Sequence, residues 1–230
     1  MKKLKIINSL DALRIAALDF FFPQHCFLCD KALGGREKIC ADCLSAIDMG
    51  VVAKKRRKLA SGISFRFWRG FPYRGKVKEI LHYVKIHQQE DLLNLLLSRV
   101  NLEALYSQNY EAVVYVPSGY RRFFERGYNP AQTLAKILSS QLGLPVIKLL
   151  GRKAWQGKQS LRSRSGRLKR LSKPIFRLKE KESSLWRGKK VLLVDDVLTS
   201  GATLYVCSRL LQQNEIDVDC LALSYAVFSS

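Results

Sequence analysis

The chain has 230 residues, 47% apolar and 26% charged. That is a globular composition which excludes a wholly disordered chain, and no apolar run reaches the ~18 residues that would span a bilayer. The formal net charge of +21 is concentrated: residues 54–78 carry ten basic side chains and no acid, and residues 152–190 carry fifteen against Glu180 and Glu182. A basic surface on an otherwise near-neutral body implies a polyanionic partner, whether nucleic acid, a phosphorylated small molecule or an anionic membrane.

In chain order, residues 9–22 place Leu10, Leu13, Ala17 and Phe21 on one helical face, and Pro23 ends that helix. The same stretch contains Asp11, Arg14 and Asp19 and has no small-residue cleavage site. It is therefore not read as a secretory signal, and a cytoplasmic location is expected. Cys26-x2-Cys29 and Cys40-x2-Cys43 follow, ten residues apart. In a reducing compartment this double knuckle has the spacing of a structural Zn2+ site, and four thiolates leave no open coordination position for catalysis. Lys31, Arg36 and Lys38 lie between the pairs and would offset the excess negative charge. His25 is adjacent, but the four cysteines already complete the site.

The run Lys54-Lys55-Arg56-Arg57-Lys58 reads as a surface loop, and the aromatic segment 63–73 as a short strand pair. Residues 76–100 are helical in pattern, with Val77, Ile80, Leu81 and Val84 on one face and a division near residues 88–91. From about residue 110 the texture alternates strand and helix. Strands are expected at 112–117, 144–150, 189–197 and 217–228. Helices are expected at 129–143, capped by Asn129 with Pro130 at its first position, and at 202–213. This predicts an α/β fold with a parallel sheet covered by helices on both faces. Residues 152–190 lack periodicity and read as a long loop or flap. Cys207 and Cys220 fall in apolar segments and read as core residues. The expected organisation is a zinc-knuckle domain over 1–50, a basic connecting region with short strands and helices over 51–108, and an α/β domain over 109–230.

The chemistry concentrates at 191–203. An apolar strand delivers Asp195 and Asp196 to the carboxyl edge of the sheet, and Thr199, Ser200, Gly201, Ala202 and Thr203 then open a helix. Free amides of a first helical turn, hydroxyls and a glycine are suited to a phosphate. The neighbouring carboxylates suit the vicinal hydroxyls of a ribose, so the segment predicts a 5-phosphorylated ribose as ligand. A phosphate-accepting receiver domain also ends a strand in an acidic pair, but there most of the domain follows the pair. Here only 34 residues follow Asp196.

This segment resembles the phosphoribosylpyrophosphate (PRPP) motif of type I phosphoribosyltransferases. The chain as a whole is similar to the competence protein F (ComF) family, whose members join such a domain to an N-terminal four-cysteine zinc finger. The resemblance extends to residues 73–89, to residues 116–135 with Arg126-Gly127-Tyr128-Asn129, and to Gln159, Leu161, Arg167 and Phe176. It departs at Ser118, Gly119, Pro130 and Arg170.

The resemblance implies a type I phosphoribosyltransferase-like fold, with Asp195 and Asp196 on the ribose hydroxyls and Mg2+ bridging sugar and pyrophosphate. It implies Thr199, Ser200, Gly201, Ala202 and Thr203 on the 5-phosphate, and Pro117, Ser118 and Gly119 as the pyrophosphate loop. Arg121, Arg122 or Arg126 would neutralise the leaving group. It further implies phosphoribosyl transfer to an acceptor the sequence does not identify. A role in DNA uptake is also implied, with single-stranded DNA and other uptake proteins as partners. For the DNA reading, Phe65, Phe67, Trp68, Phe71, Tyr73 and Trp155 interleave with the basic residues either as stacking platforms or as core.

Overall fold

The computed structural model describes residues 24–34, 37–58, 64–118, 127–152 and 176–227. The helix expected at 9–22 and residues 153–175 of the expected loop lie outside these residues, while Phe176–Leu178 and Glu180–Ser183 of that segment form a strand and a short helix instead of loop. The chain divides into two compact units between Asp48 and Met49. The first holds β1 (Gln24–His25), β2 (Ala32–Leu33) and α1 (Ala41–Ser45), with β1 and β2 antiparallel.

The second unit begins with β3 (Gly50–Val51), β4 (Ala53–Lys58), β5 (Ser64–Pro72), α2 (Gly75–His87), α3 (Glu90–Ser98), β6 (Val100–Asn101) and α4 (Glu103–Tyr106). It continues through β7 (Ala112–Tyr115), α5 (Pro130–Leu142), β8 (Val146–Ile147), β9 (Leu150–Arg152) and β10 (Phe176–Leu178). It ends with α6 (Glu180–Ser183), β11 (Lys190–Leu198), α7 (Ala202–Gln212) and β12 (Asp217–Tyr225). Six strands form the main sheet in the order β4-β5-β12-β11-β7-β8. Every pairing is parallel except β4 with β5, so a parallel α/β sheet carries one antiparallel strand at its edge.

The local causes are legible. β11 is apolar along most of its length because it lies between β12 and β7 with both faces covered. On one face Val191 and Leu193 meet Leu204, Cys207 and Leu211 of α7, together with Phe67, Cys220 and Ala222. α5 covers the opposite face at β7 and β11, and α3 packs on α5. Asn129 caps α5 by accepting the Ala131 N–H at 3.2 Å, Pro130 follows it, and Gly143 ends the helix at φ 68°. α2 buries Val77, Ile80, Leu81 and Val84, and Gln88 at φ 55° breaks it from α3.

Three expectations change. The run 54–58 is not a loop: Lys54, Lys55 and Arg56 stand on β4, paired residue by residue with β5. A charged strand at a sheet edge keeps its free N–H and C=O groups from pairing with another chain. Residues 64–72 are one strand and not a pair, because they insert between β4 and β12. Gly70 allows that insertion, since a Cβ there would lie 2.4 Å from the Leu223 carbonyl oxygen. Residues 144–150 split, with Val146–Ile147 joining the main sheet while Leu150 starts a separate ribbon with β10.

Candidate functional site

In the first unit the four cysteine sulfurs, from Cys26, Cys29, Cys40 and Cys43, all lie within 4.8 Å of one another. Cys29 Sγ is 3.6 Å from Cys40 Sγ. A tetrahedral Zn2+ with ~2.3 Å bonds sets its sulfurs about 3.8 Å apart, whereas a disulfide needs about 2.05 Å. All four are free thiols, so the cluster fits a structural zinc ion. Backbone geometry aims them: the Asp30 and Cys29 N–H groups both donate to the Cys26 carbonyl, and Cys40 caps α1 while accepting from the Cys43 N–H. Burial works against ionisation of Cys26, but hydrogen bonds from the backbone around Cys40, Leu28 and Cys29 outweigh it and lower its pKa to about 6. His25 turns elsewhere, its Nδ1 2.9 Å from the Asp30 carbonyl. Lys31 pairs with Asp42 at 2.8 Å, and Arg36 lies outside the described residues.

In the second unit the carboxyl end of β11 presents the acidic pair. Alternation along the strand sends the two carboxylates to opposite faces. Asp195 borders a small concavity with Thr199, Ser200, Gly201 and Thr203. Asp196 meets Lys85 of α2, whose Nζ lies 2.8 Å from Asp196 Oδ2. The Asp196 N–H donates to Asp195 Oδ1 at 3.0 Å. Burial first, and the Asp196 charge second, raise the Asp195 pKa well above the usual carboxylate range. Among the described residues no basic side chain forms an ion pair with Asp195.

Gly201 opens α7 at φ 85°, a left-handed conformation that glycine adopts without strain. The first-turn amides of α7 therefore face the turn, and Ala202 N–H lies 3.4 Å from Ser200 Oγ. Carboxylates and hydroxyls are an all-oxygen donor set, which fits a hard divalent cation such as Mg2+ arriving with a phosphorylated ligand.

Of the expected loop residues, Pro117 is buried and Ser118 half-buried just past β7. Gly119, Arg121, Arg122 and Arg126 lie outside the described residues. Asn129 ties this region to the sheet, donating its Nδ2–H to the Val116 carbonyl at 2.9 Å. Sequence reasoning missed Lys85. It follows Val84, the last residue of the α2 apolar stripe, and that position beside the stripe was the available signal. Tyr128 donates its hydroxyl to the Val84 carbonyl, which fixes the end of α2 beside the acidic pair.

The aromatic side chains of β5 resolve toward the core. Phe67, Trp68 and Phe71 are buried, and Trp68 Nε1–H donates to the Tyr110 hydroxyl, which donates in turn to Asp219 at 2.8 Å. These three do not present stacking faces; Phe65 and Tyr73 are half-buried, and Trp155 lies outside the described residues. Cys207 and Cys220 are buried, and burial pushes the Cys220 thiol up to about 12. No helix among the described residues is long and apolar enough to cross a membrane.

Comparison with known proteins places a double zinc ribbon domain at residues 17–55 and a phosphoribosyl transferase domain at residues 125–223. The chain is 30% identical over 143 residues to competence protein ComFC of Bacillus subtilis, a match covering 61% of this chain and 55% of that one. It is 34% identical over 107 residues to competence protein F of Haemophilus influenzae, covering 45% and 44%. It is 27% identical over 165 residues to DNA utilization protein YhgH of Escherichia coli K12, covering 65% and 68%. The chain thus spans about half the length of the two competence proteins it matches.

Proposed function

We propose a function from one premise: the chain belongs to the competence protein F (ComF) family, joining a four-cysteine zinc ribbon to a phosphoribosyltransferase-like α/β domain. On this reading the edge of the main sheet binds PRPP, or a closely related 5-phosphoribosyl compound, together with Mg2+. The observation that carries it is the direct run from an acidic strand end into a glycine-opened, hydroxyl-rich helix start. Thr199 to Thr203 would take the 5-phosphate through amides and hydroxyls. Asp195 and Asp196 would hold the ribose and the cation, and the backbone after Val116, braced by Asn129, would face the pyrophosphate. Mg2+ would supply charge neutralisation on the phosphates. With an acceptor present, the same carboxylates would offset the positive charge that grows on the ribose as pyrophosphate leaves, so catalysis would be positional and electrostatic.

A thermal-shift series with PRPP, ribose 5-phosphate and nucleotides, each with and without Mg2+, tests this reading. PRPP with Mg2+ should raise the melting temperature most. No shift with PRPP at millimolar concentration would overturn it.

A second reading, handling of single-stranded DNA during uptake, is supported by the competence and DNA-utilization names of the relatives. One structural observation favours it. Arg56 and Arg66 face each other across β4 and β5, both exposed, with Lys54 on the same face of β4. Like charges directly opposite are unfavourable in a sheet, and a polyanion laid across them relieves that repulsion. Because Phe67, Trp68 and Phe71 are buried, recognition would run through backbone phosphates. Eight engaged phosphates give a log-log salt slope of about −6 on a single strand. A binding constant insensitive to salt would rule this reading out.

A further inference from the structure

We propose that Lys85 is a further residue of the sheet-edge site, one that makes metal uptake conditional on a phosphorylated ligand. Its ammonium holds Asp196 in the ligand-free protein, where a divalent cation would otherwise bind, and releases that carboxylate when ligand phosphates offer it a new partner. This deepens the phosphoribosyl-ligand reading and rests on it.

The ion pair is short, 2.8 Å, and enclosed, with side-chain exposures of 20% for Lys85 and 14% for Asp196. Enclosure reduces screening by salt, and it makes an unpaired charge there costly. A lone Mg2+ arriving from water would have to displace the ammonium and strand it, or share one carboxylate with it. Both outcomes are unfavourable. A ligand that brings phosphates changes the balance, because the ammonium then gains an anionic partner as the carboxylate turns to the metal. Net charge in the site stays compensated throughout.

The geometry suits this exchange. The backbone beneath Lys85 is pinned: Val84 is fully buried, and its carbonyl accepts the Tyr128 hydroxyl. Gln88, three residues on, packs so closely against Gly127 that a Cβ there would lie 3.2 Å from Gln88 Nε2. The helix is therefore held while the lysine side chain, a compact cation on a flexible four-carbon stem, can reorient. The two acids are also unequal. Asp196 has its cation, while Asp195, on the other face, borders the Thr199–Thr203 turn without an ion-pair partner among the described residues. Lys85 lies outside the stretch that matches the phosphoribosyl transferase domain, so the region before that domain contributes to its site.

The test uses the zinc-loaded full chain with Mn2+ as probe, read by the electron paramagnetic resonance signal of free Mn2+. Wild type should bind Mn2+ weakly in the absence of ligand. Lys85→Met should bind it about tenfold more tightly, within the range of typical site-to-site coupling. Lys85→Arg, which keeps a cation, should stay at the wild-type level, and Lys85→Met with Asp196→Asn should lose the gain. In wild type, Mn2+ and inorganic pyrophosphate together should raise the melting temperature by more than the sum of their separate effects. Lys85→Met should reduce that synergy. If Lys85→Met does not fold, Lys85→Gln carries the same expectations.

Unchanged Mn2+ affinity in a folded, neutral Lys85 variant would overturn the proposal, leaving the ion pair purely structural. So would a gain in Lys85→Arg equal to that in Lys85→Met. None of these arms contains a phosphoribosyl compound. Failure of PRPP to shift the wild-type melt would therefore count against the ligand reading alone, and the Mn2+ measurements would still decide the role of Lys85.

Discussion

The cysteine cluster and the sheet-edge site are built in opposite ways. All four sulfurs come from one short stretch, residues 26–43, and two local turns suffice to converge them. The sheet-edge site draws Asp195 and Asp196 from β11, the hydroxyl-rich turn that leads into α7, Asn129 from the start of α5 and Lys85 from α2. A site closed within one segment stands or falls with its metal. A site assembled from distant segments can lose its ligand while keeping its fold, and the following experiments separate the two.

The largest effect is expected in the first unit. Structural zinc contributes on the order of 10 kcal/mol to small metal domains, so Cys40→Ser or chelation should unfold this unit while the second melts cooperatively as before. Loss or broadening of the second unit's transition on chelation, by calorimetry, would contradict the division. The thiolates must also be deprotonated to bind. Cys26 is lowered to about 6 while its neighbour Cys29 is raised, so protons compete with the metal, and reloading with Zn2+ should weaken progressively as the pH falls.

Within the second unit, Gly70→Ala should cost about 1–3 kcal/mol as an overpacking change, because its Cβ would press on the Leu223 carbonyl. Asn129→Ala removes a helix cap and a buried bond to Val116. About 2 kcal/mol of stability should go with it, along with a loss of PRPP affinity that Gly70→Ala does not share.

The smallest effect has the opposite sign. The folded pKa of Asp195 is raised, so its contribution to stability is intact below the ordinary carboxylate range and declines as pH rises toward the folded pKa. Asp195→Asn removes that decline. The variant should melt a few degrees higher than wild type at pH 7, at ~2–4 °C per kcal/mol, with the difference vanishing near pH 3. Higher stability with lost ligand binding is the signature of a strained functional group. A lower melting temperature at pH 7 would contradict the burial argument.

Much of this is legible in the sequence, for physical reasons. The cysteine spacing encodes its own geometry, and the strand ending in Asp195 and Asp196 announces a buried central strand because its apolar run is continuous. The Asn129-Pro130 start and the break near Gln88 were also readable, since capping and helix termination are local events. What stayed hidden was non-local. Residues 54–58 carry no apolar periodicity, and only pairing with β5 makes them a strand. Phe67, Trp68 and Phe71 read equally as platforms or core until the sheet placed them inside. Lys85 looked like one more basic residue on a charged helix, because its partner lies 111 positions further along the chain. Spacing cannot show that the paired acids diverge to opposite faces toward different neighbours, although strand alternation allows it.

Titration calorimetry of PRPP with Mg2+ against the wild-type chain and the Asp195→Asn, Asp196→Asn double variant tests the central claim most directly. Saturable binding to wild type, and none to a double variant that keeps its cooperative melt, is the predicted result. Equal heats for the two proteins, or no binding to either, would contradict the placement of a phosphoribosyl ligand at this strand end.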